Sequence, residues 1–229
     1  MVIQLVNINK SYPSIEGSEP LNILQEVSLT IDKNQSIAIT GPSGSGKTTL
    51  LNILGTLDTA DSGSISIEGA DISALKNKEL AALRNEKIGF VFQSHHLLPQ
   101  LNVLENVLLP TIPLNDKALK SSAEKRALEL LDKVGLSDKR SNKPGELSGG
   151  ECQRVAVVRA LINQPDIILA DEPTGSLDKE ASDLMAELLY QIHKEQKIAL
   201  VVVTHSNALA QKMDKRYSLS KGILNPLEN

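Results

Sequence analysis

The chain has 229 residues, a formal net charge of −4, 41% hydrophobic residues and 23% charged ones. That balance fits one large or two small packed domains and excludes a disordered chain. Without a long block of Lys or Arg, binding along a DNA or RNA backbone is disfavoured too, so no nucleic-acid partner is expected.

Aromatic residues make up only 2%, so the core must come from Leu, Ile, Val and Ala. Cys152 is the sole cysteine, which leaves no internal disulfide framework. The first residues carry no basic segment followed by a long apolar run, so no signal peptide is expected. The longest fully apolar stretch, Ile198 to Val203, falls far short of the ~20 residues of a membrane span. Work at a membrane would require another chain to supply the span.

Residues 2–31 read as two strands, from the alternation of Ile3 and Leu5 and of Val27, Leu29 and Ile31. Pro13 to Pro20 between them is a loop by composition. Tyr12 opens that loop, either as a half-buried strand-end residue or as a flat ring for a nucleobase. Ser36 to Thr40 is a further strand, followed by Gly41, Pro42, Ser43, Gly44, Ser45, Gly46, Lys47, Thr48 and Thr49. This stretch fits G-x-x-x-x-G-K-[ST]. Its glycines let successive backbone amides line a phosphate nest, Lys47 adds a cation and Thr48 offers a hydroxyl to Mg²⁺. The helix expected over Lys47 to Leu54 points its positive end at the same anion.

Beyond it, Asp61 to Gly63 reads as a turn and Gly63 to Gly69 as a strand ending in a Gly69-Ala70-Asp71 turn. Ser73 to Arg84 reads as a charged helix and Ile88 to Phe92 as a buried strand ending at Gln93. A polar residue there is placed to meet a ligand, or is simply a solvated loop residue. The chain changes character over residues 94–135: His95 to Pro99 and Val103 to Pro110 are apolar and broken by prolines, and an amphipathic helix covers Ser122 to Val134. His95 and His96 lack companion ligands at metal spacing, which favours structural roles. Leu147 to Glu151 open a helix running to Ile162, with Ser148 as N-cap and Gly149 and Gly150 exposing amides, a second anion cradle.

Ile167 to Asp171 is a central strand ending in Asp171 and Glu172. Adjacent carboxylates repel unless a cation or a water uses them. Beside a phosphate loop, the first suits Mg²⁺ and the second suits activating a water. Lys179 to Lys194 reads as a helix, and Ile198 to Thr204 as a strand ending in His205, a sensor for a terminal phosphate or a core histidine. Arg216 to Leu224 reads as a hairpin around Lys221 and Gly222.

In this order the motifs resemble the ATP-binding cassette family over nearly the whole chain. Gly41–Thr48 resembles Walker A, Gln93 the Q-loop, Leu147–Glu151 the signature, Ile167–Asp171 Walker B followed by the catalytic Glu172, Ser176–Asp178 the D-loop and His205 the switch histidine. Tyr12 stands where the family's adenine-stacking aromatic stands. The resemblance implies an α/β P-loop NTPase core with an antiparallel β subdomain, over residues 1–93 and 165–229, and an inserted helical subdomain over 94–164. It implies an ATPase using ATP and Mg²⁺, with Thr48, Gln93 and Asp171 serving the metal. It implies a second copy whose Ser148, Gly149, Gly150, Glu151 and Asp178 complete the pocket.

His95 to Pro99, Leu104 to Pro110, the Glu at 151 and Ala170 to Gly175 are similar to the lipoprotein-releasing and macrolide-export branch. That similarity implies an integral membrane permease partner and a place at the cytoplasmic face of the inner membrane. Lipoprotein release is the first reading. Export of macrolides, peptides or toxins, and mechanotransmission, are the alternatives. The stretch 95–110 either meets the membrane partner or packs inside the helical subdomain.

Overall fold

The computed structural model describes residues 1–13, 20–113 and 117–227. Most of the Pro13–Pro20 loop lies outside the described residues. Two sheets carry the chain. The smaller is antiparallel, in the order β2 (Leu21–Ile31), β1 (Ile3–Tyr12), β4 (Ser62–Ile67), β5 (Ala70–Asp71). The larger has six strands in the order β10 (Ile223–Leu227), β9 (Lys215–Ser220), β3 (Ser36–Thr40), β8 (Ala199–Val203), β7 (Ile167–Asp171), β6 (Ile88–Val91). All its pairings are parallel except the β9–β10 hairpin.

Side-chain alternation along the parallel strands feeds two separate cores. Ile37, Ile39, Leu169, Val201 and Val203 face one side, with α1 (Lys47–Leu54) and the smaller sheet. Ala38, Ile168, Ala170, Leu200 and Val202 face the other. There they meet α3 (Val103–Leu108), α4 (Lys117–Lys133), α5 (Gly149–Leu161), α6 (Lys179–Gln196) and α7 (Asn207–Gln211). Both layers are aliphatic, as the composition requires.

Several boundaries differ from the sequence reading. The turn expected over 69–71 closes one residue earlier, because Ala70 pairs back onto Ile67 to form β5. The charged helix expected from Ser73 is α2 (Asn77–Lys87). Asp71 accepts the Ser73 amide at 2.8 Å and holds the chain in a turn, while Glu79 accepts the Lys76 amide at 2.8 Å and starts the helix later. The helix expected over Ser122 to Val134 starts at Lys117, with Ala127, Leu130, Leu131 and Val134 buried as read. Ser148 caps α5, which begins at Gly149. Short α7 carries too few residues for its periodicity to register in the sequence.

Asp214 fastens the start of β3 to the start of β9. Its carboxylate accepts the Ser36 amide at 2.9 Å, the Ser36 hydroxyl at 2.7 Å and the Lys194 ammonium at 3.3 Å. Burial pushes this carboxyl up, but the Ser36 and Lys194 donors outweigh it and hold it below the usual aspartate value. A group with a depressed folded value stabilises above its unfolded value, about 4, and loses that effect as pH falls through the folded one. Asp214→Ala is therefore expected to cost about 1 kcal/mol at neutral pH, kept modest because the side chain is 39% exposed. Urea unfolding should show the gap to wild type closing as pH drops from about 7 to about 3.

Candidate functional site

At the C-terminal end of β3 the chain turns sharply at Gly41. A Cβ there would fall 2.2 Å from the Leu219 carbonyl oxygen, so only glycine fits. Gly44 and Gly46 have left-handed backbones, with φ of +76° and +97°. Gly46 is the N-cap of α1 and offers no side-chain cap, which leaves the amides at that helix start for a ligand. Lys47 is buried, and its ammonium donates to the carbonyls of Gly41 and Pro42, both at 3.0 Å. The cation thus sits inside its own loop. The buried Ser45 hydroxyl in the same loop has no partner.

Asp171 and Glu172 emerge from β7. The Asp171 carboxylate meets the Thr48 hydroxyl. Burial raises its pKa, and Thr48 and the charge of Lys47 only partly oppose that. Glu172 has a φ of +45° and is fixed by its amide, which donates to Val203 O at 2.9 Å. Its Oε2 accepts the His205 amide at 3.1 Å. Its Oε1 lies 3.2 Å from His205 Nε2, outside hydrogen-bond geometry, and is buried without a partner. His205 Nε2 is in turn 3.4 Å from Lys47 Nζ.

Gln93 follows β6 and packs against Gly175, where a Cβ would come 2.9 Å from Gln93 Nε2. With Leu21 and Ile23 of β2, the residues Ser43, Gly44, Gly46, Lys47, Thr48, Thr49, Gln93, Asp171, Glu172, Gly175 and His205 line one cleft of ≈ 740 Å³. Tyr12 stands at its rim. Tyr12 is 38% exposed, and its hydroxyl donates to Asp58 Oδ2 at 2.6 Å and lies beside the Thr49 side chain.

The second predicted cradle lies elsewhere. None of Ser148, Gly149, Gly150, Glu151 or Asp178 lines the cleft. They form a patch of their own: Gly149 lies opposite Leu177, Gly150 opposite Ala181, and Asp178 accepts the Ala181 amide at 2.8 Å. Ser148 and Glu151 cap each other, the Ser148 hydroxyl accepting the Glu151 amide at 3.2 Å and the Glu151 carboxylate the Ser148 amide at 2.7 Å. The Ser148 amide is also the main reason that carboxyl sits low.

The stretch 95–110 divides by residue. Leu97, Val103 and Val107 are buried, whereas Leu98 is 45% exposed. Leu97 is therefore a packing residue and not a contact surface. His95 is occupied structurally: its Nδ1 accepts the Leu97 amide, and Arg159 donates to the carbonyls of His95 and His96 at 2.7 Å each. Beside Gln93, a groove lined by Leu57, Phe90, Phe92, Pro110, Arg159 and Pro165 runs between β6, α2 and α5. Leu21, Ile23 and Gly175 were not legible as site residues. The first two read as ordinary strand aliphatics, and Gly175 as a turn.

The site fits a nucleoside triphosphate with a hard divalent cation. Its anion side is amide and ammonium, and its cation side, at Thr48, Asp171 and Gln93, is all oxygen. Comparison with known proteins agrees. The family model described as ABC transporter matches residues 24–175. The chain is 54% identical to the "Lipoprotein-releasing system ATP-binding protein LolD 1" of Rhodopirellula baltica, covering 95% of this chain and 93% of that one. It is 47% identical to the "Uncharacterized ABC transporter ATP-binding protein YvrO" of Bacillus subtilis, covering 97% and 95%. Among solved structures, the dimeric post-hydrolysis state of the ATP-binding cassette MJ0796 bound to ADP and Pi superposes with a TM-score of 0.86 at 39% identity, covering 99% of each chain.

Asp171 costs the ligand-free fold stability, because its raised pKa marks a disfavoured charge. Asp171→Asn should raise the apo thermal midpoint by roughly 2–4 °C, about 1 kcal/mol, measured by scanning calorimetry without nucleotide or metal. A fall in the midpoint would contradict this.

Proposed function

This chain belongs to the ABC transporter family, and on that premise we propose that it is the ATP-hydrolysing subunit of a lipoprotein-releasing complex, docked on an integral membrane permease at the cytoplasmic face of the inner membrane. The observation that carries the reading is the meeting of Lys47, Asp171, Glu172 and His205 in one cleft below a glycine-rich loop. ATP hydrolysis itself follows from family membership. The cargo rests on the likeness to the Rhodopirellula baltica protein. Export of another cargo, or mechanotransmission, would use the same cleft, and the Bacillus subtilis relative keeps that second reading in view.

In the proposed mechanism the loop from Gly41 to Thr49 wraps the β- and γ-phosphates, and Lys47 exchanges its two loop carbonyls for phosphate oxygens. Thr48 and Gln93 would hold Mg²⁺, and Asp171 would serve it from beside the Thr48 hydroxyl. The ion, when bound, neutralises charge on those phosphates. Glu172 accepts the proton of the attacking water, a task for its unpartnered Oε1. His205 steadies the γ-phosphate and the Glu172 carboxylate together. Tyr12 stacks on the adenine.

A second copy closes the pocket. We assign residues 94–164 to the helical subdomain that brings Ser148, Gly149, Gly150 and Glu151 to the partner's triphosphate, with the partner's Asp178 loop beside it. This would explain why one chain carries two anion cradles that do not meet. The stretch 95–110, which exposes Leu98 and lends Pro110 to the groove at Phe90 and Phe92, is the proposed seat of the permease.

Glu172→Gln should still bind ATP, but turn over at least about 10²-fold more slowly and accumulate as a dimer on gel filtration with ATP. Turnover at the wild-type rate would remove Glu172 from the role of base. Ser148→Arg should leave single-copy ATP binding intact and abolish the ATP-dependent dimer, at a cost of about 1 kcal/mol for the lost helix cap. Dimerisation at wild-type strength would refute the shared pocket.

A further inference from the structure

Beside Tyr12, outside the lining of the cleft, lies a charged cluster that the hydrolytic machinery does not use. Lys10 is almost fully buried, and its ammonium donates to Asp58 Oδ1 at 3.1 Å and Thr59 O at 2.8 Å, and lies 3.6 Å from Asp61 Oδ1. Asp61 Oδ2 accepts both the amide and the hydroxyl of Ser11, at 2.6 and 2.7 Å. Asp58 Oδ1 also accepts the Thr59 amide, and Oδ2 accepts the Tyr12 hydroxyl at 2.6 Å. Three successive residues at the end of β1 are thus tied to the segment that follows α1.

Lys10 and Ser11 alone would suffice to fasten the strand. The bond to Tyr12 does something different, because it fixes the far end of a half-exposed ring. The Lys10 ammonium lies 5.1 Å from the ring centroid and covers one face. The same hydroxyl touches Thr49, in the first turn of α1, so the ring is referenced to the helix whose N-terminus forms the phosphate nest. Asp58 is itself held to that helix, its amide donating to Asn52 O. Tyr12 pairs with Leu21 across the strands, and Leu21 lines the cleft. The distance from ring to phosphate site is therefore set before any ligand arrives, which lowers the ordering cost of binding.

We propose that Asp58 is a positioning residue for nucleotide binding: with Lys10 behind the ring and the Tyr12 hydroxyl in its carboxylate, it presents the open ring face to the base. The proposal rests on the reading of Tyr12 as the base-stacking residue. It makes base recognition, and not phosphate recognition, depend on a carboxylate that touches no part of the nucleotide.

The test is titration calorimetry of the full-length protein with ADP and, separately, with pyrophosphate, which lacks a base and a ribose. Tyr12→Ala should weaken ADP roughly tenfold or more and leave pyrophosphate unchanged. Tyr12→Phe keeps the ring and deletes the hydroxyl. It and Asp58→Asn should each weaken ADP about threefold to fivefold, again without effect on pyrophosphate, and the double variant should lose no more than either single. If Tyr12→Ala binds ADP normally, the stacking reading fails and the clamp with it. If Tyr12→Ala is weakened but Tyr12→Phe or Asp58→Asn is not, stacking survives and the role of Asp58 is refuted. Equal loss for pyrophosphate would show general damage and refute it as well. Should Asp58→Asn fail to fold, Tyr12→Phe decides on the same criterion.

Discussion

Parallel pairing in register is the constraint from which the site follows. Val203 lies beside Ile39 on one side and Asp171 on the other, and Ala170 lies beside Val91. Four strands therefore stop at one edge of the sheet within a residue or two of each other. Gly41, His205, Glu172 and Gln93 are what each chain segment does next. Parallel strands need crossovers, and the crossovers here place helices on both faces and leave this edge open. A shift of one residue in any pairing would exchange side chains between the two buried layers, so the packing of Ile39, Leu169 and Val203 on one face and of Ala38, Ala170 and Val202 on the other enforces the alignment of the polar residues beyond them.

The cleft concentrates charge that the ligand-free fold can only partly satisfy. Lys47 turns to loop carbonyls, Asp171 is carried above its ordinary pKa by burial, and Ser45 and Glu172 each leave a buried oxygen without a partner. The unpaired oxygens of Ser45 and Glu172 depart from the near-complete pairing of buried polar groups in folded proteins. Lys47, Asp171 and Glu172 line one cavity, and Ser45 belongs to the loop that borders it, an arrangement preorganised for a charged ligand. By contrast the carboxylates of Asp214 and Asp58 are saturated with donors, which hold both below the usual aspartate value.

The phosphate loop, the acidic pair and the capped signature helix were legible because each is local: a spacing of glycines, two adjacent carboxylates, a serine followed three residues on by a glutamate. The six-stranded order was not, since nothing within β6 or β7 says which strand lies beside it. The start of α2 was misread because helix periodicity runs back through Ser73, while the side chain of Asp71 imposes a turn that periodicity does not register. Leu97 and Leu98 are identical in sequence terms and opposite in burial, because Asn106 stitches the loop around them, accepting the Leu98 amide and donating to the carbonyls of Leu98, Leu101 and Asn102. Asp58 escaped notice for the complementary reason: its partners are 46 and 48 residues away.

The short segment after β6 ties these regions together. Gln153 of α5 donates to Phe92 O at 2.8 Å, Arg159 of α5 holds the carbonyls of His95 and His96, and the Ser176 hydroxyl donates to Gln93 O at 3.4 Å. Gln93 lines the cleft while Phe92 lines the groove on the other side. A displacement of this segment therefore cannot leave α5 where it was unless bonds made by Gln153 and Arg159 break, and α5 is the helix that begins at the exposed Ser148 cap. Coupling between distant sites needs a contiguous, stiff connection that both sites can bias. Residues 92–96 have that character, bonded on one side to the segment after Glu172 and on the other to α5, and lying beside the groove that Phe90 and Phe92 line.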